Sequence, residues 1–482
     1  MIAFPKTYRN SLSLIAGVAG TIAIWLLDPF QLGPAPNKVL AVAALMVIWW
    51  VTEALPMPVV ALLPLILFPL LGIDSLKATS ANYGDSILFL FLGGFMIALA
   101  IEKWNLHVRI ALHIIRLTGT SGNRIILGFI LATGFLSMWL SNTATTMMMY
   151  PIAISIIHVI GENGAEKANM KNFSAAIMLA IAYASNFGGI ATIIGTPPNV
   201  AFVGFLENKY GPSIQFAEWM LICTPLSILL MLCLYWVMTK WLYPNRLRAD
   251  AKTRLMIRSR LEGLGPMSSA EKRVLAIFLA TAGLWITKDL INATGAIGLS
   301  DTVIAMMGGT ALFLAPAGGK DAGKKILEWS DTSKMAWGII LLFGGGIALA
   351  GALEKEGLIQ HLGAWIAGYG GSGGFMLIFM ITLISLFISE LISNIAQVIV
   401  FSPVMAGIAD AMHLDPLLLG LPMTLAASCA SMMPMGTPPN AIVFASGHVR
   451  LNQMIKTGFI MNIIALILIS LFCYYLVPLL VG

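Results

Sequence analysis

The chain has 482 residues, of which 58% are hydrophobic and 10% are charged, and its mean hydropathy is +0.88. This composition excludes a soluble globular protein, and several stretches exceed the roughly 20 apolar residues that cross a hydrocarbon core. The formal net charge of +6 could suggest a nucleic-acid partner, but the placement of the basic residues described below accounts for it better. We therefore predict an all-α polytopic membrane protein with no nucleic-acid partner.

The apolar segments predict the elements of the first half in chain order. The segment at 105–120 is basic and amphipathic, which is typical of a helix at the membrane surface. The apolar region after it carries Ser141, Asn142 and Thr143 at its centre. That polar centre favours a re-entrant hairpin over one long span. The predicted elements are helices at 11–27, 37–52, 58–72 and 86–104, the interfacial helix at 105–120, the hairpin at 121–160, a broken helix at 174–206 and a helix at 217–243.

A basic linker, predicted at 244–266, separates this half from a second one of similar design. A loop around 161–173 makes the first half longer. The second half is predicted to contain helices at 271–290, 301–316 and 335–353, an interfacial tail to about 368, a hairpin at 374–412, a broken helix at 417–446 and a helix at 455–480.

The distribution of Lys and Arg supports this reading of the two hairpins. With the N-terminus in the cytoplasm and both hairpins returning to their side of entry, all but five of the 28 Lys and Arg residues fall on the cytoplasmic side, as the positive-inside rule requires. The five exceptions are Lys38, Lys77, Lys209, Lys288 and Lys355. The hairpins therefore predict eleven transmembrane helices, with the C-terminus outside.

An internal repeat relates the two halves. Ser137, Ser141 and Asn142 return 252 positions later as Ser389, Ser393 and Asn394, and Gly195-Thr196-Pro197-Pro198-Asn199 returns as Gly436-Thr437-Pro438-Pro439-Asn440. With the first helix set aside, each half has five spans. Because five is odd, the two halves must lie in opposite orientations, which predicts an inverted repeat.

The Pro-Pro pairs predict a helix break in each half. Proline lacks the N–H donor and forces the preceding residue out of the helical region. At membrane depth such a break survives where protein or a water-filled cavity satisfies the freed backbone groups. Broken helices at matching places in two half-chains indicate a transporter binding site near the bilayer midplane.

The residue types in these motifs predict an anion site and sodium sites side by side. Ser, Thr and Asn offer neutral oxygens to a hard cation, while amides, hydroxyls and helix N-termini can bind a carboxylate. The motif regions contain no Lys or Arg, and burying a bare dianion would be very costly. Co-bound Na⁺ is the natural compensation, so the sequence favours symport.

Two acidic residues near the apolar interior leave alternatives open. Glu53 is predicted at a helix end beside Pro56, which favours a structural role. Glu390 lies three residues before Ser393, where structural support and a place on the ion path are equally compatible with the sequence. An enzyme would need a nucleophile or metal constellation, and the spans contain no HExxH, GxSxG or Asp pair. We therefore expect no enzymatic activity.

Taken together, these motifs resemble the divalent anion/sodium symporters, the INDY-type dicarboxylate and citrate carriers. The resemblance covers nearly the whole chain and rests on the segment Trp49–Pro56, the paired Ser-Asn hairpins and both Gly-Thr-Pro-Pro-Asn breaks. It implies a homodimer in the inner (plasma) membrane, in which a transport domain moves against a scaffold as an elevator. On this basis we assign the N-terminus and first helix to 1–36, the scaffold to 37–120 and 267–370, and the transport domain to 121–243 and 371–482.

The resemblance also implies the binding residues. One sodium site is expected at Ser137, Ser141, Asn142 and Gly195, and another at Ser389, Asn394 and Gly436. The substrate is expected to contact Asn142, Thr143, Thr196, Pro197, Asn394, Ile395, Thr437 and Pro438.

Ile395 departs from the family pattern, which has Thr at this place. The change removes one hydroxyl donor from the second half of the expected substrate site. Apart from this position, the family resemblance implies sodium-coupled uptake of a C4-dicarboxylate such as succinate, malate or fumarate. A sodium-independent dicarboxylate or citrate exchanger, or an inorganic-anion carrier of the same fold, remains the alternative.

Overall fold

The computed structural model describes residues 6–162, 167–211, 214–247, 251–295, 298–361 and 374–481. The helices of the first half are α1 (Lys6–Leu27), α2 (Pro34–Val51), α3 (Met57–Val60), α4 (Leu63–Leu71), α5 (Leu76–Ala81), α6 (Ser86–Lys103), α7 (Leu106–Thr118), α8 (Gly122–Ser137), α9 (Asn142–Glu162), α10 (Lys167–Gly189), α11 (Pro197–Tyr210) and α12 (Phe216–Trp236). A π-helical turn (Val237–Leu242) extends α12.

The second half repeats this arrangement. Its helices are α13 (Ala251–Gly263), α14 (Ser269–Asn292), α15 (Asp301–Leu314), α16 (Trp337–Lys355), α17 (Phe375–Ile388), α18 (Asn394–Ala411), α19 (Pro416–Ser428), α20 (Pro438–Ala445), α21 (Leu451–Tyr475) and α22 (Val477–Val481). Short 3-10 turns lie at Asn82–Gly84, Ile193–Gly195 and Trp329–Lys334, and the strands β1 (Pro316–Gly318) and β2 (Asp321–Lys325) pair antiparallel.

The all-α polytopic fold class is confirmed. Within the described ranges, eight helical segments are long and apolar enough to cross a membrane, and six shorter apolar helices accompany them. The two predicted hairpins are the pairs α8–α9 and α17–α18, and the two predicted broken helices are α10–α11 and α19–α20. The total of eleven transmembrane helices stays a prediction.

The packing of the two halves shows the predicted repeat. Trp50 is fully buried at the end of α2, and its Nε1 donates to the backbone oxygen of Met57 at 3.2 Å. Likewise, Nε1 of Trp285 on α14 donates to the backbone oxygen of Asp301 at 3.1 Å. In addition, a Cβ on Gly93 would meet the backbone of Ala305, and one on its repeat mate Gly345 would meet the backbone of Ala61. Small residues therefore bring helix backbones together at matching places in both halves.

Three local predictions are wrong. The helix predicted at 58–72 is divided into α3 and α4, and prolines stand in the first turn of each piece. The linker contains α13, which buries Thr253, Ile257 and Leu261 at the four-residue spacing of one helix face. The loop predicted around 161–173 is largely helical, since α9 reaches Glu162 and α10 begins at Lys167.

One further segment was not predicted, and another lies partly outside the described residues. The strands β1 and β2, with the adjoining 3-10 turn, follow α15 and were not anticipated. The second part of the predicted interfacial tail, 362–368, lies outside the described residues.

Candidate functional site

The tip of each hairpin gathers oxygen atoms around a buried serine. Ser137 Oγ lies 2.6 Å from Asn142 Oδ1 and 2.7 Å from the backbone oxygen of Ser185. In the second hairpin, Ser389 Oγ lies 2.8 Å from Asn394 Oδ1 and beside the backbone oxygen of Ala427. Each cluster has three oxygen atoms that share one hydroxyl proton. Such a cluster of oxygen ligands fits a hard cation.

The helix breaks pack directly against these tips. In the first half, a Cβ on Gly195 would lie 2.4 Å from the backbone oxygen of Gly189 and 3.0 Å from that of Ser137. A Cβ on Gly189 would in turn lie 2.4 Å from Asn142 Oδ1. Backbone and amide oxygens therefore crowd around two glycines, and the first predicted sodium site is a cradle with no room for a side chain at Gly195.

The asparagine that ends each Gly-Thr-Pro-Pro-Asn motif satisfies the carbonyl groups that the break leaves free. Asn199 Nδ2 donates to the backbone oxygens of Gly189 at 3.3 Å and Thr192 at 2.8 Å. Asn440 Nδ2 donates to the backbone oxygens of Ala430 at 3.4 Å and Met433 at 3.1 Å. These bonds close the unpaired helix end inside the protein, which an apolar environment demands.

In the second half, the Glu390 carboxylate also binds backbone N–H groups of the break. Its Oε1 accepts from the backbone N–H groups of Ser431 and Met432, both at 2.8 Å, and from Asn462 Nδ2 at 2.7 Å; its Oε2 accepts from the backbone N–H of Met433 at 2.9 Å. The carboxylate is 4% exposed. Four donors thus hold it, so the geometry favours structural support of the break over a place on the ion path.

In the first half, a hydroxyl group and not a charged side chain holds the break. Met138 occupies the position equivalent to Glu390, and Thr192 Oγ1 donates to its backbone oxygen at 2.5 Å. Thr192 Oγ1 also accepts from the N–H of Gly195 at 3.0 Å. The two half-sites therefore share their oxygen clusters but differ in what fixes the break.

Both tips and both breaks face one cavity of about 1300 Å³. Ser137 and Ser389 lie behind the tips and are fully buried. The predicted residues that line the cavity are Ser141, Asn142, Thr143, Gly195, Thr196, Pro197, Asn394, Ile395, Gly436, Thr437 and Pro438. The structure thus brings nearly all of the expected sodium and substrate residues to one place.

The electrostatics of the cavity come from helix ends. The helices α9, α11, α18 and α20 all begin at residues that line it, namely Asn142, Pro197, Asn394 and Pro438. Helix N-termini carry partial positive charge and attract anions. Among the described residues that line the cavity, the charged ones are Glu53, Glu102 and Lys334, and none belongs to a tip or a break.

Glu53 lies at the edge of this cavity. It has a φ of 50° just beyond the C-terminal end of α2, and its side chain is exposed. Its backbone N–H donates to the backbone oxygen of Trp50 at 3.3 Å. This turn supports the structural role that the sequence favours.

Sequence reasoning missed several residues of the site. Asn186 lines the cavity from α10, Gly189 forms part of the oxygen cradle, and Thr192 caps the first break. A signal was present, because Ser185 and Asn186 are adjacent polar residues in an apolar helix shortly before the break. Within the described ranges, no group of three or more His, Cys, Asp or Glu residues could hold a metal ion.

Comparison with known sequences gives matches along nearly the whole chain. Residues 8–481 match the family model described as "Sodium:sulfate symporter transmembrane region". A protein of Staphylococcus saprophyticus named sodium-dependent dicarboxylate transporter SdcS is 40% identical over 470 residues, which are 96% of this chain and 90% of that protein. The SdcS protein of Staphylococcus aureus strain MRSA252 is 38% identical over 450 residues, which are 92% of this chain and 86% of that protein.

Two solved structures share the fold at 12% sequence identity. MtrF of Neisseria gonorrhoeae superposes with a TM-score of 0.54 and covers 83% of each chain. The YdaH transporter of Alcanivorax borkumensis superposes with a TM-score of 0.55 and covers 83% of this chain and 87% of its own. At this level of identity the likeness supports the fold alone.

Proposed function

Because the chain belongs to the family of the sodium:sulfate symporter transmembrane region, we propose that it is a secondary active transporter that couples uptake of a C4-dicarboxylate to Na⁺. The names of the two SdcS relatives give the substrate class and the coupling ion. We accordingly propose a carrier rather than an enzyme.

The observation that carries the proposal is the pairing of two oxygen clusters across one cavity. The N-termini of four helices meet there, and the tips and breaks bring no charged side chain into it. Helix N-termini favour negative charge, but their partial charges are smaller than the two full charges of a dicarboxylate. Sodium ions bound in the oxygen clusters would supply the missing positive charge, so the bound substrate would depend on bound Na⁺.

We assign the first sodium ion to Ser137, Ser141, Asn142 and Gly195, and the second to Ser389, Asn394 and Gly436. The backbone oxygen of Gly189 belongs to the first site, because it crowds Gly195. For the dicarboxylate we assign the cavity-lining residues Asn142, Thr143, Thr196, Pro197, Asn394, Ile395, Thr437 and Pro438.

The cavity also suggests which side of the membrane the site faces. Ser13, Glu102 and Lys334 line it, and all three fall on the cytoplasmic side in the predicted topology. We therefore propose that this conformation is open to the cytoplasm, in a multi-pass protein of the inner (plasma) membrane. The N-terminus would be cytoplasmic and the C-terminus outside.

Contacts on the opposite side support alternation between two states. Lys209 Nζ on α11 lies 3.4 Å from Glu354 Oε1 on α16 and 2.7 Å from Asp410 Oδ2 on α18. Nearby, Asn208 Nδ2 donates to Asp85 Oδ2 at 2.9 Å. Lys209 and Asn208 belong to the proposed transport domain, while Glu354 and Asp85 belong to the proposed scaffold. In an elevator mechanism these outer contacts would hold the inward-open state and break when the transport domain moves.

We further propose that the transporter is a homodimer, as the family resemblance implies, with the scaffold at the interface between protomers. A fixed scaffold would give each transport domain a surface to move against. Native mass spectrometry of the purified protein would test the stoichiometry, and a monomer that transports at full rate would contradict it.

Uptake by proteoliposomes tests the proposed function. Succinate, malate, fumarate, citrate and sulfate would each be offered with an inward Na⁺ gradient, and again with K⁺ replacing Na⁺ on both sides. The proposal expects saturable uptake of C4-dicarboxylates in Na⁺ and background uptake in K⁺. Equal uptake in the two salts that requires internal dicarboxylate would instead identify an exchanger, and preference for citrate or sulfate would correct the substrate.

Cysteine labelling tests the proposed orientation. Ser259 on α13 and Ser80 on α5 are both exposed, and the topology places them on opposite sides. In a variant without the four native cysteines, Ser259→Cys should react with an impermeant maleimide from the cytoplasmic side and Ser80→Cys from outside. Reaction of both from one side would contradict the predicted topology.

A further inference from the structure

Asn186 connects the two half-sites through one side chain. It lies on α10, where its residue is fully buried by the surrounding protein, yet it borders the cavity. Its Oδ1 accepts from Asn142 Nδ2 at 3.4 Å, and its Nδ2 donates to Thr437 Oγ1 at 3.3 Å and to the backbone oxygen of Ala430 at 3.4 Å. The side chain therefore touches the hairpin tip of one half and the helix break of the other.

The contact with Asn142 fixes the direction of an amide. An Asn side chain presents an oxygen at one end and an NH₂ group at the other. Because Asn186 Oδ1 can only accept, it holds the NH₂ end of Asn142. The Oδ1 end of Asn142 must then face Ser137 Oγ, at 2.6 Å, and the first oxygen cradle. Without Asn186 the amide could rotate and present N–H groups to the cation.

The contact with Thr437 fixes the direction of a hydroxyl proton. Thr437 Oγ1 accepts from Asn186 Nδ2 and from the backbone N–H of Asn440, at 3.4 Å. A hydroxyl that accepts two hydrogen bonds keeps its own proton for a third group. Since Thr437 borders the cavity, that proton is available to a carboxylate bound there.

The equivalent position in the other half lacks this link. The pairs Ser137–Ser185 and Ser389–Ala427 align residue 185 with 427, so Ser428 is the repeat mate of Asn186. Ser428 is buried, and its Oγ has no hydrogen-bond partner among the described residues. The connection between half-sites is therefore one-sided, from the first sodium cradle to the second helix break.

We propose that Asn186 is a positioning residue that couples the first sodium site to the substrate contact at Thr437. It aims the carbonyl end of Asn142 at the sodium ion and the proton of Thr437 at the carboxylate. The inference rests on the proposed function, since it assumes that Na⁺ and a dicarboxylate bind at these places. A merely structural Asn186 would affect stability without separating the two ligands.

Two variants separate the two contacts. Asn186→Leu removes both of them and keeps the number and branching of the side-chain heavy atoms. Asn186→Asp keeps an oxygen that accepts from Asn142 but loses the donor to Thr437, and its charge opposes a carboxylate. Ser428→Ala is the matched control, because it changes the repeat mate. The readouts are the Na⁺ concentration for half-maximal uptake at succinate concentrations that saturate each variant, the succinate KM, the maximal rate, and the rise in melting temperature that Na⁺ alone produces in detergent. Saturating succinate is needed because the affinities of two coupled ligands depend on each other.

Asn186→Leu should raise both the Na⁺ requirement and the succinate KM about fivefold, the effect of one lost hydrogen bond. Asn186→Asp should raise the succinate KM but not the Na⁺ requirement, and Ser428→Ala should change neither. In a double-mutant cycle, Asn186→Leu and Thr437→Ala should be non-additive in the succinate KM, because both remove the same bond.

The proposal is overturned if Asn186→Leu leaves both ligands unaffected, or if Asn186→Asp raises the Na⁺ requirement as Asn186→Leu does. If Asn186→Leu does not fold, Asn186→Asp still decides between the two roles. The wild-type protein is measured in the same series, so absent succinate uptake in wild type would count against the proposed function instead. The melting shift with Na⁺ alone would then still test whether Asn186 supports the sodium cradle.

Discussion

A carboxylate oxygen of Glu390 lies 3.1 Å from the position that a Cβ atom would take on Gly436. The same carboxylate accepts hydrogen bonds from the three backbone N–H groups of residues 431–433 and from the side-chain amide of Asn462. Glu390 thus fixes the loop that leads into Gly436 and fills the space beside it. The second proposed sodium site depends on a buried anion for its shape, while the first depends on the hydroxyl of Thr192.

Replacing Glu390 by Gln should therefore destabilise the second half-site. The NH₂ group of Gln would face either the N–H of Met433 or the three donors around Oε1, so a donor would meet a donor. Hydrogen bonds to charged groups contribute about 1.5–3 kcal/mol each, so we expect a lower melting temperature together with a higher Na⁺ requirement for uptake. Unchanged melting and unchanged Na⁺ activation in Glu390→Gln would show that this carboxylate does not hold the break.

Gly195→Ala should abolish sodium-dependent uptake. The added methyl group would lie 2.4 Å from the backbone oxygen of Gly189 and 3.0 Å from that of Ser137, so it would displace the atoms proposed to bind Na⁺. Gly351→Ala on α16 is the control, since a Cβ there meets nothing within 4 Å. The measurement is uptake against Na⁺ concentration, with gel filtration to check folding. Normal Na⁺ activation in Gly195→Ala would place the first sodium site elsewhere.

The sequence predicted the hairpins, the breaks and the motif residues that line the cavity because these residues occur twice. Pro-Pro pairs and polar tips are local signals, and the repeat gave each of them a second instance. Asn186 and Gly189 could not be found in this way. Their roles arise from contacts between segments more than 40 positions apart, and the repeat mate of Asn186 is a serine without the same contacts. The helix α13 was missed because its strongly basic composition hid its three buried positions.

Removing the ion pair between Lys209 and Glu354, on the outer side, should shift the transporter away from the inward-open state. Glu354→Gln breaks the contact between the proposed scaffold and Lys209, whereas Asp410→Asn breaks a contact within the proposed transport domain. Partly exposed pairs contribute up to about 1 kcal/mol, which allows a shift of up to about fivefold. The reporter is Ala336→Cys, an exposed cavity residue, labelled from the cytoplasmic side.

Labelling of that cysteine should slow in the Glu354→Gln background and stay at the control rate in the Asp410→Asn background. The same slowing in both would mean that Lys209 acts through folding of the transport domain. Equal labelling rates in the control and in both variants would show that the pair between Lys209 and Glu354 does not stabilise the inward-open state.

Ile395→Thr tests the departure from the family pattern. Ile395 borders the cavity at the start of α18, as Thr143 does at the start of α9. If the substrate carboxylate lies at this tip, the new hydroxyl should lower the KM for succinate or malate about tenfold, because a charge-assisted hydrogen bond contributes about 1.5–3 kcal/mol. If the native substrate has a less polar group there, its KM should rise and the preference should change. Identical selectivity and KM values would show that position 395 does not contact the substrate.

Symport couples the succinate flux to the Na⁺ flux, so the movement of Na⁺ itself measures that coupling. Proteoliposomes would receive equal Na⁺ on both sides, with radioactive Na⁺ as tracer, and an inward succinate gradient at a clamped membrane potential. We expect the succinate gradient to drive net accumulation of Na⁺, and we expect Gly195→Ala to eliminate this accumulation while Gly351→Ala does not. Succinate entry without any accompanying Na⁺ accumulation would contradict symport.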